Sequence, residues 1–400
     1  MIPRSSYVEL FRASRAILDL LRRTALQIAP TTAGRLEAYG VSDEDYPLFL
    51  EDELLEERYA SCMARPDIII GPGGPKFLEF NVSGAAVGPV ELHSLLRAWD
   101  FLYRRRDAPP FRIDDPFAAR CNLFGDVSAE LDVPARLLWV GSVRDLKHTT
   151  NTRYFDMELE YLHRHGFVAD HAEPEQLDEL LGTGAVARYR LGLRHFTIPE
   201  WRELGIDTTP VHDALKRGCL LLSTQTAAFL TNKKTLGLVS EGQPWMSRAE
   251  RELAHTYIPW TRVLADRDTT RDGRRIDLLA HTLRHQHDLV LKRGIGMQGL
   301  QVTLGRDATS EHWHQEVQLA AARCDSIVQE YVEPGRCHVE LSFSDHDPTP
   351  QITEVAPVLS PFLFGNYCGG VWGRFFATGA SGIVSREGYG ALENAVVAEL

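Results

Sequence analysis

The sequence predicts a mixed α/β (α+β) fold, and three observations predict it. First, the β-branched run Asp67–Ile70, the turn cluster Gly71–Pro75 and the alternating run Lys76–Asn81 read as strand, tight turn and strand, a β-hairpin. Second, the apolar run Arg136–Val140, a helical stretch Tyr154–His165 and a second strand Gly166–Ala169 read as a small parallel α/β unit. Third, Asp288–Lys292 is a strand running into a glycine-rich loop, followed by strand runs at Ser326–Val332, His338–Phe343 and Gln351–Val355.

The remaining elements fit around these. Residues 5–27 place Tyr7, Leu10, Phe11, Ile17, Leu18 and Leu21 on one helical face, with Ser14 filling the gap in the spacing. Helices are expected over 43–62, from Val90 to Tyr103 and from Thr224 to Val239, with Ala185–Arg190 continuing the parallel unit. Residues 107–135, rich in Pro and Asp, read as a linker or irregular crossover. Three units are expected: 1–132 with the N-terminal helices and the hairpin, 133–223 as a central α/β substrate unit, and 224–400 with the remaining strands.

Composition narrows the function. Hydrophobic residues make up 44% and charged residues 24%, ordinary for a globular enzyme. The formal net charge is −12 without a long basic run, which argues against general nucleic-acid binding. Arg104–Arg106 reads as a solvated loop or helix end. No transmembrane stretch or signal-peptide core is present, and six scattered cysteines without a C-x-x-C pair suit a reducing cytoplasm. His281, His285 and His287 lack the glutamate and third ligand of a helical zinc site, and the pair around Trp313, His312 and His314, is no better.

Five motifs carry chemistry. In Leu291–Gly299 a strand ends in Lys292 and enters a loop with Gly294, Gly296 and Gly299, which lets backbone N–H groups approach phosphate oxygens. In Ile327–Val332 an apolar strand edge carrying Gln329, Glu330, Tyr331 and Val332 suits the rim of an adenine pocket. Lys233, in Asn232–Leu236, starts or lies within a helix and reaches for phosphates. Glu79 and Asn81 share one strand face, with Asp67 on the partner strand, and this hard oxygen set suits Mg²⁺ bridged by phosphates. Arg374, after Gly369–Gly373, is read as a phosphoryl clamp on a tight backbone. Singly, most of these motifs do not outweigh a bland alternative; their joint occurrence in a consistent order is what points to a nucleotide site.

Together these motifs resemble the ATP-grasp superfamily, in which two lysines and a strand-hinge segment hold ATP between two α+β subdomains. The Glu79-x-Asn81 element precedes the lysines here, an order that resembles the circularly permuted ATP-grasp ligases of the glutathionylspermidine synthetase and eukaryotic glutathione synthetase type. Arg65-x-Asp67 matches the element that precedes Glu-x-Asn in the former group. The resemblance covers roughly 65–95 and 225–375. It implies Mg²⁺ on Asp67, Glu79 and Asn81, phosphate contacts from Arg65 and Arg374, and ATP phosphates on Lys233 and Lys292. It also implies adenine beside Gln329–Val332 and the acyl substrate near Ser83 and Gly84. Arg293 stands where relatives have proline, the glycine-rich loop lacks an acidic residue, and Glu354 echoes a ligand of unpermuted members.

The implied activity is an ADP-forming carboxylate–amine ligase acting on an amino acid or small peptide through an acyl phosphate, with ATP and Mg²⁺. The implied partners are a small-molecule carboxylate and amine, with no nucleic acid and no membrane; a homodimer is left open. Specificity is expected from the middle unit and from loops including Thr149–Arg153 and Pro357–Asn366. A small-molecule kinase, or a non-catalytic nucleotide-binding regulatory protein, are the alternatives.

Overall fold

The computed structural model describes residues 1–104, 110–146, 151–182, 184, 187–296, 301–342, 349–377 and 390–400. Gly299, one of the glycines assigned to the phosphate loop, lies outside the described residues.

The fold is mixed α/β, and three sheets position the candidate site. The first is an antiparallel five-stranded sheet in the order Leu392–Val396, Tyr367–Phe375, Val358–Phe364, Met63–Gly71, Gly74–Asn81. The expected hairpin forms its edge, with Asp67 paired to Glu79 and Arg65 to Asn81. Hairpin and C-terminal strands, nearly 300 residues apart in sequence, thus share one sheet, joined where Ile68 pairs with Leu359. The second sheet is parallel, in the order Val168–Ala172, Arg136–Val140, Leu191–Arg194, Leu220–Leu222. The third is antiparallel, in the order Val302–Leu304, Leu289–Arg293, Ser326–Glu330, Thr261–Val263.

Most long elements lie where periodicity places them. The helix Arg4–Gln27 buries the expected face, and the Ser14 hydroxyl satisfies itself on the Leu10 carbonyl at 2.6 Å. Pro89–Arg104 and Arg153–Arg164 are helical as expected. The segment 224–239 is not one helix. Asn232 adopts an extended conformation and its side chain accepts the Lys234 N–H at 3.0 Å, so Ala227–Thr231 ends there and Lys233–Glu241 begins. The expected helix at 43–62 shrinks to Glu53–Arg58, capped by Asp52.

Three expectations fail for identifiable reasons. Residues 107–135 are not a linker: Pro116–Glu130 is a helix, with Asp115 capping the Phe117 N–H at 2.8 Å and Pro116 in the first turn. The Asp-Pro pair was a helix start, since proline is well tolerated where no intrahelical donor is required. Pro357–Asn366 is not a loop, and the tight backbone expected before Arg374 at Gly369–Gly373 is part of a strand. Val358–Phe364 and Tyr367–Phe375 are strands buried on both faces, so they lack the alternation that marks a half-exposed strand. The strand placed at 166–169 begins at Val168, after Gly166 in a left-handed turn, and the continuation placed at 185–190 is Leu191–Arg194.

Among the described residues, no helix is long and apolar enough to cross a membrane.

The loop after Asn81 docks on the ends of the parallel strands at Gly84. A Cβ there would lie 2.6 Å from the Leu222 carbonyl oxygen and 2.8 Å from that of Arg194. We expect Gly84→Ala to destabilise the fold by about 1–3 kcal/mol in urea denaturation, because backbone must move to admit the methyl. Gly73→Ala, where a Cβ meets nothing within 4 Å, is expected to change stability by less than about 0.5 kcal/mol.

Candidate functional site

The strand Met63–Gly71 places Arg65 and Asp67 on one face, and Gly74–Asn81 places Glu79 and Asn81 beside them. Asp67 is 9% exposed and is surrounded by donors. Arg374 Nη2 lies 2.7 Å from its Oδ1, the Ser360 hydroxyl donates to the same oxygen at 2.8 Å, and Arg65 Nε is 3.6 Å away. Burial alone raises the Asp67 pKa, but Arg374, Arg65 and the two hydrogen bonds outweigh it and hold the carboxyl below its ordinary range. Arg65 Nη1 donates to the Val87 carbonyl at 2.7 Å, and both guanidinium groups stand over the Trp372 ring.

The lysines arrive from the other side. Lys233, 6% exposed, places Nζ 3.2 Å from Glu79 Oε2 and donates to the Gly296 carbonyl at 3.1 Å. Its backbone N–H donates to Gly294 O at 2.8 Å, so the glycine-rich loop lies against the start of the Lys233–Glu241 helix. Gly294 has no room for a Cβ, which would sit 2.7 Å from Asn232 Oδ1. Lys292, 7% exposed, donates to Gln329 Oε1 at 2.7 Å and to the Leu78 carbonyl at 3.3 Å. Burial, reinforced by the Lys233 ammonium, pushes Lys292 down to about 8, although Glu79 and Asp67 draw the other way.

The structure therefore brings Arg65, Asp67, Glu79, Lys233, Lys292 and Arg374 into one cluster, all buried except the half-buried Glu79. Asn81 joins it through its Nδ2, which donates to Arg65 O at 3.2 Å. Four cations face two carboxylates, with Glu91 beyond Arg65. Such a site suits an anion that several cations surround. The donor set also fits Mg²⁺, which needs only one or two carboxylates when phosphates and water complete its shell. The contacts to Asp67 given above fall on Oδ1, leaving Oδ2 for a cation. The amide of Asn81 is anchored through its nitrogen, and its oxygen is the hard donor type that Mg²⁺ takes. Among the described residues, no group of three or more His, Cys, Asp and Glu side chains forms a separate metal cluster.

Other assigned residues are placed differently. Gln329, 1% exposed, holds Lys292 and donates to Thr261 Oγ1 at 3.0 Å. Glu330 pairs with Arg271 at 3.1 Å, and its N–H donates to Trp260 O. The Tyr331 N–H donates to Asp288 O, and Arg306 stands over the Tyr331 ring. Val332 packs against Gly71 at the hairpin tip. Ser83 accepts the Ala85 N–H at 3.0 Å, and Gly84 is the wedge described above. Glu354 pairs with Arg336 at 3.5 Å on a separate two-stranded hairpin, Cys337–Leu341 with Gln351–Val355. His281 takes part in a hydrogen bond with Arg271 and contacts the His285 ring.

Sequence reasoning missed Ser360 and Thr231. The Thr231 hydroxyl accepts the Val82 N–H at 2.9 Å and donates to Val82 O at 3.1 Å, latching the helix before Lys233 to the strand carrying Glu79. Neither residue has a local signal, because both act across a tertiary contact.

Comparison with known proteins finds likeness only in structure. No family model matches the chain, and no curated protein matches it. A glutathione synthetase-like effector from Globodera pallida, solved in its apo form, superposes with a TM-score of 0.57 at 11% identity, covering 100% of this chain and 88% of that one. A protein of Methylobacillus flagellatus KT, assigned by name to the γ-glutamylcysteine synthetases, gives 0.47 at 14% identity over 95% and 87% of the two chains. The fold is thus similar to that of the glutathione synthetase-like protein.

Lys292 supplies a test of the cluster as an anion site. It carries its charge below pH 8 and loses it above, so affinity for a fully ionised anion falls as pH rises through its folded value. We expect a non-hydrolysable ATP analogue to bind about tenfold more weakly at pH 9 than at pH 7.5 by calorimetry. Lys292→Arg, which keeps its charge, is expected to flatten that dependence.

Proposed function

We propose that this chain is an ATP-dependent, ADP-forming carboxylate–amine ligase with a circularly permuted ATP-grasp arrangement. The observation that carries the reading is the meeting of Lys233, at a helix start, and Lys292, on the third sheet, with Asp67, Glu79, Arg65 and Arg374 of the first sheet, at Lys233–Glu79 and Lys292–Leu78. The likeness of fold to a glutathione synthetase-like protein supports it. On this reading the chain divides into 1–132, 133–223 and 224–400, the middle unit serving the substrates.

Lys233 and Lys292 would bind the polyphosphate, with Gly294 and Gly296 closing over it. Asp67, Glu79 and Asn81 would hold Mg²⁺, which neutralises phosphate charge when bound. A substrate carboxylate oxygen attacks the γ-phosphorus, and the bond to the ADP oxygen breaks. Arg374 and Arg65 stabilise the charge spread over the transferring group. The amine nitrogen then attacks the acyl carbon of the acyl phosphate. Its proton is lost, phosphate leaves with the C–O bonding pair, and an amide remains. Ser83 and Gly84, on the loop between the cluster and the parallel sheet, would border the acyl group. An amino acid or small peptide is the proposed acid.

The test is ADP release with Mg·ATP across pairs of amino acids, small acids and amines, with mass spectrometry of products. ADP release is expected to need both substrates and to yield an amide mass, and hydroxylamine is expected to trap a hydroxamate. Glu79→Ala is expected to lose at least about 100-fold in turnover, as loss of a metal ligand should exceed loss of an outer-shell partner. A phosphorylated product without hydroxamate would make the protein a kinase. Nucleotide binding unaffected by Glu79→Ala, without turnover, would support a non-catalytic nucleotide-binding protein.

A further inference from the structure

We infer that Ser360 is a positioning residue for phosphoryl transfer, its hydroxyl tying the Arg374 guanidinium to the Asp67 carboxylate so that both face the reacting phosphate in one geometry. The inference rests on the ligase reading above.

Asp67 and Arg374 do not lie on neighbouring strands. Val358–Phe364 runs between their strands, so any direct contact must pass over its side chains. Ser360 lies one step from the Ile68–Leu359 pair on one side and pairs with Trp372 on the other. Its hydroxyl donates to Asp67 Oδ1 at 2.8 Å and accepts from Arg374 Nη2 at 3.1 Å, so a single atom serves both groups. Arg374 Nη2 also reaches Asp67 Oδ1 directly at 2.7 Å, closing a triangle of three polar atoms.

Ser360 is wholly buried in a strand whose neighbours Val358, Leu359, Phe362, Leu363 and Phe364 are buried and apolar. A polar side chain there needs partners, and the triangle supplies them. A two-point pair between a carboxylate and a guanidinium can pivot about its single contact, whereas a third point fixes the plane. Fixing Oδ1 also fixes the direction of Oδ2, the oxygen left for a cation. A side chain without a hydroxyl at 360 would leave the pair free to pivot, whereas any β-hydroxyl there can still bridge it.

Ser360→Cys keeps the volume and weakens the hydrogen bonds; Ser360→Ala removes them; Ser360→Thr restores a hydroxyl. We expect the Cys and Ala variants to lose about 10- to 100-fold in kcat, the effect of one buried hydrogen bond to a charged group. KM for ATP should stay within about twofold of wild type, since lysine contacts are untouched. The Thr variant should recover most of the rate. A second readout does not depend on turnover: nitrogen NMR of the Arg374 guanidinium, assigned with Arg374→Lys. Its rotation should quicken in the Cys and Ala variants and stay slow in the Thr variant. Unchanged rotation in a folded Cys variant would overturn the proposal, whether or not the protein is a ligase. So would a Cys variant with wild-type kcat. A wild type that shows slow rotation but no Mg·ATP-dependent turnover would overturn the ligase reading, and with it the catalytic purpose of the tie, leaving only the structural link.

Discussion

Asp67 is a carboxylate placed where water barely reaches it, and its charge survives only because three groups arranged by sheet register compensate for the lost hydration. Two of those groups, Ser360 and Arg374, belong to strands that enter the sheet almost 300 residues later. Side chains alternate along a strand, so a one-residue slip at the Ile68–Leu359 pairing would turn Ser360 away and leave Arg65, on the same strand as Asp67, to face the carboxylate without it. Removing one partner of such a buried pair typically costs about 3–5 kcal/mol. The register that builds the sheet and the geometry that builds the site are therefore enforced by the same interaction. The bulge between Asp67 and Ile68 lies beside it, where the hairpin pairing shifts.

The lysine side of the cluster obeys a different balance. Each ammonium has a neutral carbonyl among its acceptors: Gly296 O for Lys233, Leu78 O for Lys292. Lys233 also has the Glu79 carboxylate, whereas the side-chain acceptor of Lys292 is the neutral amide of Gln329. A full ion pair would hold Lys292 charged; burial with neutral acceptors instead lowers its pKa toward the physiological range. The Lys233 ammonium disfavours the charge on Lys292, a penalty that a bound anion would relieve. Any ligand that binds only this folded arrangement raises its stability by mass action.

What could be read from the sequence follows from how local each signal was. Asp67, Glu79 and Asn81 were legible because a hairpin is a local structure: turn residues fix its pairing, and pairing fixes which side chains share a face. Lys292 was legible because a strand ending in lysine before glycines is a contiguous pattern. Arg374 was found by residue type while its setting was misread, since a strand buried on both faces has no alternation to show. Ser360 and Thr231 carry no local mark; each is defined by a partner far along the chain. The helix Pro116–Glu130 was concealed by composition, for Asp and Pro serve equally well in a linker and in a helix start.

Gln329 and Glu330 show the same principle from the opposite direction. Both were assigned to one adenine rim, but consecutive residues of a strand face opposite sides of the sheet. Gln329 turns to Lys292 and Leu78, while Glu330 turns to Arg271 and Trp260. The glutamine amide is also bound to Thr261, whose hydroxyl in turn donates to Pro259 O at 2.7 Å, so it has a fixed orientation with its oxygen toward the lysine. That chain of hydrogen bonds makes Gln329 a support for Lys292.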